Sequence, residues 1–161
     1  MEDCLFCWKY ETNEISVFGE SKYFYYHLDQ FPITPGHSEI IPKKHIVSLQ
    51  DLTIEEWKDL KFSIGDTINK LENKLDLKEY YQRILRNPFN EKSKELIERA
   101  LSLPYFGNKP DAYNHGNNDG EAAGRTIHHL HWHIIPRYFG DVKDPRGGIR
   151  NMIPKVGNYR K

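Results

Sequence analysis

The chain is poor in cysteine and methionine and carries no surplus of charge. Its two cysteines, Cys4 and Cys7, are too few for the disulfide framework of a small secreted domain. A reducing, cytoplasmic setting is the simpler expectation. Lys plus Arg number 23, and Asp plus Glu number 23. That balance leaves no broad basic face, so a general nucleic-acid binder is not expected. No apolar run approaches the ~18–20 residues that a membrane-crossing helix needs, and no membrane partner is expected. The opening MEDCLFCWKY has neither the basic flank nor the apolar stretch of a secretion signal. There is no internal repeat and no low-complexity linker, so the 161 residues are expected to form one domain, 1–161.

What is present reads as an α+β pattern, an antiparallel sheet with helices packed on it. Residues 15–19 and 23–28 are short aromatic or β-branched runs separated by a polar break, and they predict paired strands. Pro32, Pro35 and Gly36 mark a turn, after which His37 to Ile41 resume an extended run closed by Pro42. Thr53 and Glu56 form a capping box for a long helix. Its apolar stripe is read through Ile54, Trp57, Leu60, Ile64, Ile68, Leu71 and Leu75. Helical spacing returns over 77–87 until Asn87-Pro88, and Asn90 caps a further helix through Leu96, Ile97, Ala100 and Leu101. The segment at about 77–110 thus predicts a helical insertion, and about 141–161 a C-terminal tail.

The chemistry concentrates after Asp111. His129-Leu130-His131-Trp132-His133-Ile134-Ile135 alternates polar and apolar residues. As a strand it puts His129, His131 and His133 on one face, neighbours roughly 7 Å apart at Cα and the outer two roughly 13 Å. Three readings are open: a wet strand face with incidental histidines, a catalytic metal site needing ligands from elsewhere, and nucleophilic catalysis. Neutral imidazole is nucleophilic near pH 7, attack on phosphorus gives a phosphoramidate, and a carbonyl bonded to the second ring nitrogen fixes the tautomer. Cys4-x-x-Cys7 alone completes no zinc site, and redox chemistry or inert thiols account for it equally well.

The stretch GRTIHHLHWHIIPR, together with PITPGHSEIIPKKHI upstream and HIIPRYFGD downstream, resembles the histidine-triad (HIT) family of nucleotide hydrolases and transferases. It looks more like the dinucleoside-polyphosphate hydrolase branch than the phosphoramidase branch. The agreement covers residues 4–60 and 111–141 and hardly touches 77–110. The resemblance implies a roughly five-stranded antiparallel sheet, a homodimer and a nucleotide substrate. It implies that His131 is the nucleophile attacking the α-phosphorus, that the carbonyl of His129 bonds its second nitrogen, and that His133 contacts phosphate oxygens. Thr126 and Asn118 match phosphate-bonding positions, Asp29 a ribose-bonding position, and His37 a position beside the triad. Arg125 stands where the family usually has glutamine; it keeps donors but adds a fixed charge and cannot accept, which puts the leaving group in question. Phe6, Phe24, Leu28 and Ile41 are candidates to surround the base. Some family members close a structural zinc site with four residues that here are Cys4, Cys7, His45 and His129. Arg137, Arg146 and Arg150 in the tail belong either to a flap over the polyphosphate or to a surface loop. The implied activity is hydrolysis of dinucleoside polyphosphates such as diadenosine tetraphosphate, or related adenylates. Its alternatives are a phosphoramidase, a nucleotidyltransferase or phosphorylase, and a nucleotide-binding protein without turnover.

Overall fold

A computed structural model of the chain describes residues 4–153 and Gly157. Of the expected 141–161 tail, residues 154–156 and 158–161 lie outside the described residues. Helix α1 (Leu5–Glu11) leads into strands β1 (Val17–Glu20), β2 (Phe24–Leu28) and β3 (Ser38–Pro42). Helices α2 (Ile54–Asn73), α3 (Leu77–Leu85) and α4 (Glu91–Ser102) follow, then β4 (Ala112–Gly116) and β5 (Trp132–Arg137). The five strands form one antiparallel sheet in the order β1-β2-β3-β5-β4. The expected α+β architecture is therefore present.

Period-2 alternation splits the central strands between two packed faces. Phe24 and Tyr26 of β2, Ile40 of β3 and Ile134 of β5 join one buried cluster with Leu60 of α2. Tyr25 and Ile41 face the other way and pack with Phe6 of α1. Because helices cover both faces, β2 and β3 are buried at every position. Helix α2 starts at the expected capping box, the Thr53 amide donating to Glu56 Oε2 at 2.7 Å and the Glu56 amide to Thr53 Oγ1 at 3.3 Å.

The stripe on α2 begins later than the sequence suggests. Ile54 is 70% and Trp57 44% exposed, because the inward face runs through Leu60, Ser63 and Thr67. Small hydroxylated residues occupy core positions there, Ser63 donating to Ser21 Oγ at 2.9 Å. The insertion forms as two short capped helices. Tyr81 and Ile84 of α3, Ile97 and Ala100 of α4, and Leu28 at the end of β2 share a second buried cluster.

Two elements escape the sequence reading, α1 and the edge strand β4. A further correction concerns the histidines. The expected strand over 129–135 starts only at Trp132, whose partner is Ile40. Upstream the chain leaves β3: the Leu130 amide donates to the Ile46 carbonyl at 2.7 Å, and the Pro42 carbonyl accepts from the His129 ring at 2.9 Å. Pro42 has no N–H with which to extend the ladder.

Candidate active site

The register of the three central strands builds the site. His27 pairs with Glu39 across β2 and β3, and Glu39 pairs with His133 across β3 and β5. Partners in register share a face, so the three side chains form one row. Glu39 Oε2 lies 2.8 Å from His27 Nε2, and Oε1 lies 3.4 Å from His133 Nδ1. Both ring nitrogens of His27 face acceptors, since Nδ1 is 2.8 Å from the Leu28 carbonyl. Burial by itself would raise the Glu39 carboxyl. The His27 hydrogen bond and the neighbouring imidazoles outweigh it and hold the group below the usual carboxylate range.

The row continues through His37, whose Nε2 is 3.1 Å from His133 Nδ1 and whose Nδ1 is 3.2 Å from Asp29 Oδ2. Asp29 also accepts from the Phe31 amide at 2.8 Å. Its carboxyl is raised, first by burial and then by the charge of Glu39. His133 is lowered to about 4, chiefly by burial, with the attraction of Glu39 opposing and His37 adding to the fall. It is therefore neutral at physiological pH.

His131 stands next to this row. Its ring centroid is 5.1 Å from that of His133. Its Nδ1–H donates to the His129 carbonyl at 2.8 Å, because a carbonyl only accepts. The lone pair is thereby assigned to Nε2. The ring rests against Phe6, centroids 5.2 Å apart. A cleft of about 320 Å³ opens over these groups, lined among others by Phe6, Asp29, Phe31, Glu39, His131 and His133. Asn118 and Thr126 reach the same cleft.

The first histidine turns the other way. His129 is fully buried, and its Nε2–H is committed to the Pro42 carbonyl. Nδ1 therefore points a lone pair at the cysteines, 3.4 Å from Cys4 Sγ and 3.6 Å from Cys7 Sγ. Cys7 Sγ is 3.4 Å from His45 Nδ1. All four ligand atoms lie within 4.8 Å of one another. A tetrahedral zinc with its usual bond lengths separates sulfur and nitrogen ligands by about 3.5 Å, so the donor set and its spacing fit that ion. Burial and the adjacent Cys4 push the Cys7 thiol up to about 11.

The structure thus brings His131, His133, Asp29, His37, Asn118 and Thr126 together and gathers Cys4, Cys7, His45 and His129 behind them. The triad rings do not stand three abreast, because His129 serves the cysteine side and contributes only its carbonyl to His131. Arg125 does not line the cleft. Its Nη1 donates to the Val47 carbonyl at 3.1 Å and to Asp119 at 3.4 Å. Of the suggested base-pocket residues only Phe6 lines the cleft, whereas Phe24, Leu28 and Ile41 are core. Arg137 is held by Asp141 and Asn114 and Arg146 by Asp144. Neither of them, nor Arg150, is among the cleft residues. Sequence reading missed Glu39 and His27. The signal was there, a charged residue inside the apolar SEIIP run and a histidine inside FYYHL.

Known proteins are similar to the chain in sequence and fold. The HIT domain family profile matches residues 11–140. A bis(5'-adenosyl)-triphosphatase of Saccharomyces cerevisiae is 33% identical over 123 residues, which are 76% of this chain and 44% of that protein. The chain thus spans less than half of the yeast enzyme's length. An uncharacterised 16.1 kDa HIT-like protein of Mycoplasma pneumoniae is 26% identical over 137 residues, 84% of this chain and 72% of that one. Among solved structures, a HIT family protein from Bacillus anthracis has a TM-score of 0.60 at 24% identity, covering 87% of this chain and 77% of its own. A zinc-bound histidine triad family protein from Mycobacterium smegmatis has a TM-score of 0.53 at 28% identity, covering 87% and 78%.

Proposed function

Because the chain belongs to the HIT domain family, we propose that it is a nucleotide hydrolase that cleaves dinucleoside polyphosphates or related adenylates through a nucleotidyl-histidine intermediate. The observation that carries this reading is the 2.8 Å bond from His131 Nδ1 to the His129 carbonyl. It leaves Nε2 as the nucleophilic nitrogen of a ring lining the cleft. In the first step Nε2 forms a bond to the α-phosphorus, and the bond from phosphorus to the bridging oxygen breaks. The electron pair leaves with the distal nucleotide or polyphosphate. In the second step water attacks the same phosphorus, the N–P bond breaks with its electron pair returning to Nε2, the water's proton passes to solvent, and a nucleoside monophosphate departs with His131 neutral again.

The surroundings suit both steps. Attack converts a neutral ring into a cation, and the Glu39 carboxylate in the adjoining row offsets that charge. In this reading Thr126 and Asn118, which line the cleft, donate to phosphoryl oxygens, and His133 contacts the same oxygens. Asp29 accepts from ribose hydroxyls through its remaining lone pairs. Arg125, fastened to Val47 and Asp119, orders the loop that carries Asn118 and Thr126. Cys4, Cys7, His45 and His129 would hold a structural zinc. That ion would tie the helix α1 end of the chain to the residue whose carbonyl orients the nucleophile. The homodimer belongs to the same proposal and is checked by sedimentation equilibrium.

The test compares turnover of diadenosine polyphosphates with that of an adenosine phosphoramidate at equal concentrations. Faster cleavage of the polyphosphates supports the hydrolase reading. Faster cleavage of the phosphoramidate moves the assignment to an amine leaving group, and nucleotide binding without turnover of either refutes catalysis.

A further inference from the structure

The motif resemblance hardly touches the α3–α4 segment, yet this segment is fastened to the turn that carries Asp29 and His37. Tyr81 of α3 is fully buried, and its hydroxyl accepts from the Gly36 amide at 3.0 Å. Gly36 holds a φ of +80°, a conformation that side chains resist. From α4, Arg99 donates to the Ile33 carbonyl at 3.2 Å. Leu28, the residue before Asp29, is buried among Tyr81, Ile84, Ile97 and Ala100.

Between the two helices the chain presents an aromatic side chain back to the cleft. Phe89 is 53% exposed, and it meets the 37% exposed Phe31 edge-to-face with ring centroids 5.9 Å apart. Both line the cleft that contains His131 and His133. The connection presenting Phe89 is held on both sides. Arg86 closes α3, Pro88 fixes the backbone, and Asn90 caps α4 by accepting from the Ser93 amide at 2.9 Å. Two half-exposed aromatic rings set nearly perpendicular to each other at the mouth of a nucleotide-sized cleft offer apolar ring faces that a purine or pyrimidine can cover.

We infer that Phe89, carried by the helical insertion and paired with Phe31, forms the stacking wall for the base of the nucleotide whose α-phosphate meets His131. The inference rests on the proposed nucleotide site and adds a residue that determines affinity and not chemistry. The insertion is then a device for completing the cleft as well as bracing the Asp29–His37 turn.

The experiment measures AMP binding by calorimetry for the wild-type protein, Phe89→Ala, Phe89→Leu and Phe89→Trp. Removing one stacking aromatic weakens binding about 5-fold to 150-fold. The expected order is therefore wild type and Phe89→Trp tightest, Phe89→Leu weaker and Phe89→Ala weakest. In turnover, Phe89→Ala should raise KM by a similar factor with kcat nearly unchanged, and its melting temperature should stay close to wild type because the ring is half-exposed. Equal AMP affinity of the wild type and Phe89→Ala overturns this inference while leaving the hydrolase reading in place. Absence of AMP binding by the wild-type protein overturns both.

Discussion

Acidification should destabilise the protein through His133 by an amount that follows from its surroundings. Burial holds this imidazole at about 4, against an ordinary value near 6.5. Between those limits the unfolded chain binds a proton that the folded protein refuses, so stability is complete above the upper value and falls as pH falls. The loss works out at about 1.4 kcal/mol by pH ~5.5 and about 2.5 kcal/mol by pH ~4.5. His129 is likewise lowered to about 4 by burial. That effect is common to the wild type and His133→Asn, so the difference between them isolates His133. Glu39, with its carboxyl held low, adds a loss of the same sign only in more acidic solution. Urea unfolding at several pH values between about 7.5 and 4.5 provides the measurement. The wild type should lose about 2.5 kcal/mol more than His133→Asn across that range. Parallel slopes for the two proteins would refute the assignment of a buried, neutral His133.

Other perturbations separate the parts of the site. Protein purified without chelators should carry about one zinc per chain, and Cys4→Ser should lower zinc content and melting temperature together; full zinc occupancy in Cys4→Ser contradicts the four-ligand site. Glu39→Gln should slow turnover by about 10-fold to 100-fold, because the neutral amide no longer offsets the charge that His131 acquires; unchanged kcat counts against that role. Tyr81→Phe leaves the buried Gly36 amide without a partner and should cost about 1–3 kcal/mol in urea unfolding; a neutral result means that the insertion does not brace the turn.

Much of this arrangement is legible in the sequence because local rules agree there with the global fold. Thr53 and Glu56 announce α2, Asn90 announces α4, and the aromatic run at 23–28 and the extended run at 37–41 announce β2 and β3. Other features depend on contacts that no local pattern encodes. The chain alternates at His129, His131 and His133 as a strand would, yet His129 is drawn away by the Pro42 carbonyl and the cysteines, all distant in sequence. Period alone therefore puts three rings on one face where the structure puts two. β4 is polar and half-exposed because it lies at the sheet edge, so it lacks the apolar run that marks a strand. Ile54 and Trp57 fit the helical period but lie beyond the reach of the sheet. Glu39 is the clearest omission. A carboxylate inside a buried strand makes sense only when His27 and His133 flank it in register, and register is a property of the assembled sheet.

The central claim is covalent chemistry at one nitrogen, and trapping tests it most directly. The protein is mixed with diadenosine tetraphosphate, quenched within milliseconds under alkaline conditions that preserve N–P bonds, digested and analysed by mass spectrometry. An adenylyl group on the peptide bearing His131, absent from His131→Ala, is the predicted result. Wild-type turnover by His131→Ala, or an adduct on any other residue, would contradict the account.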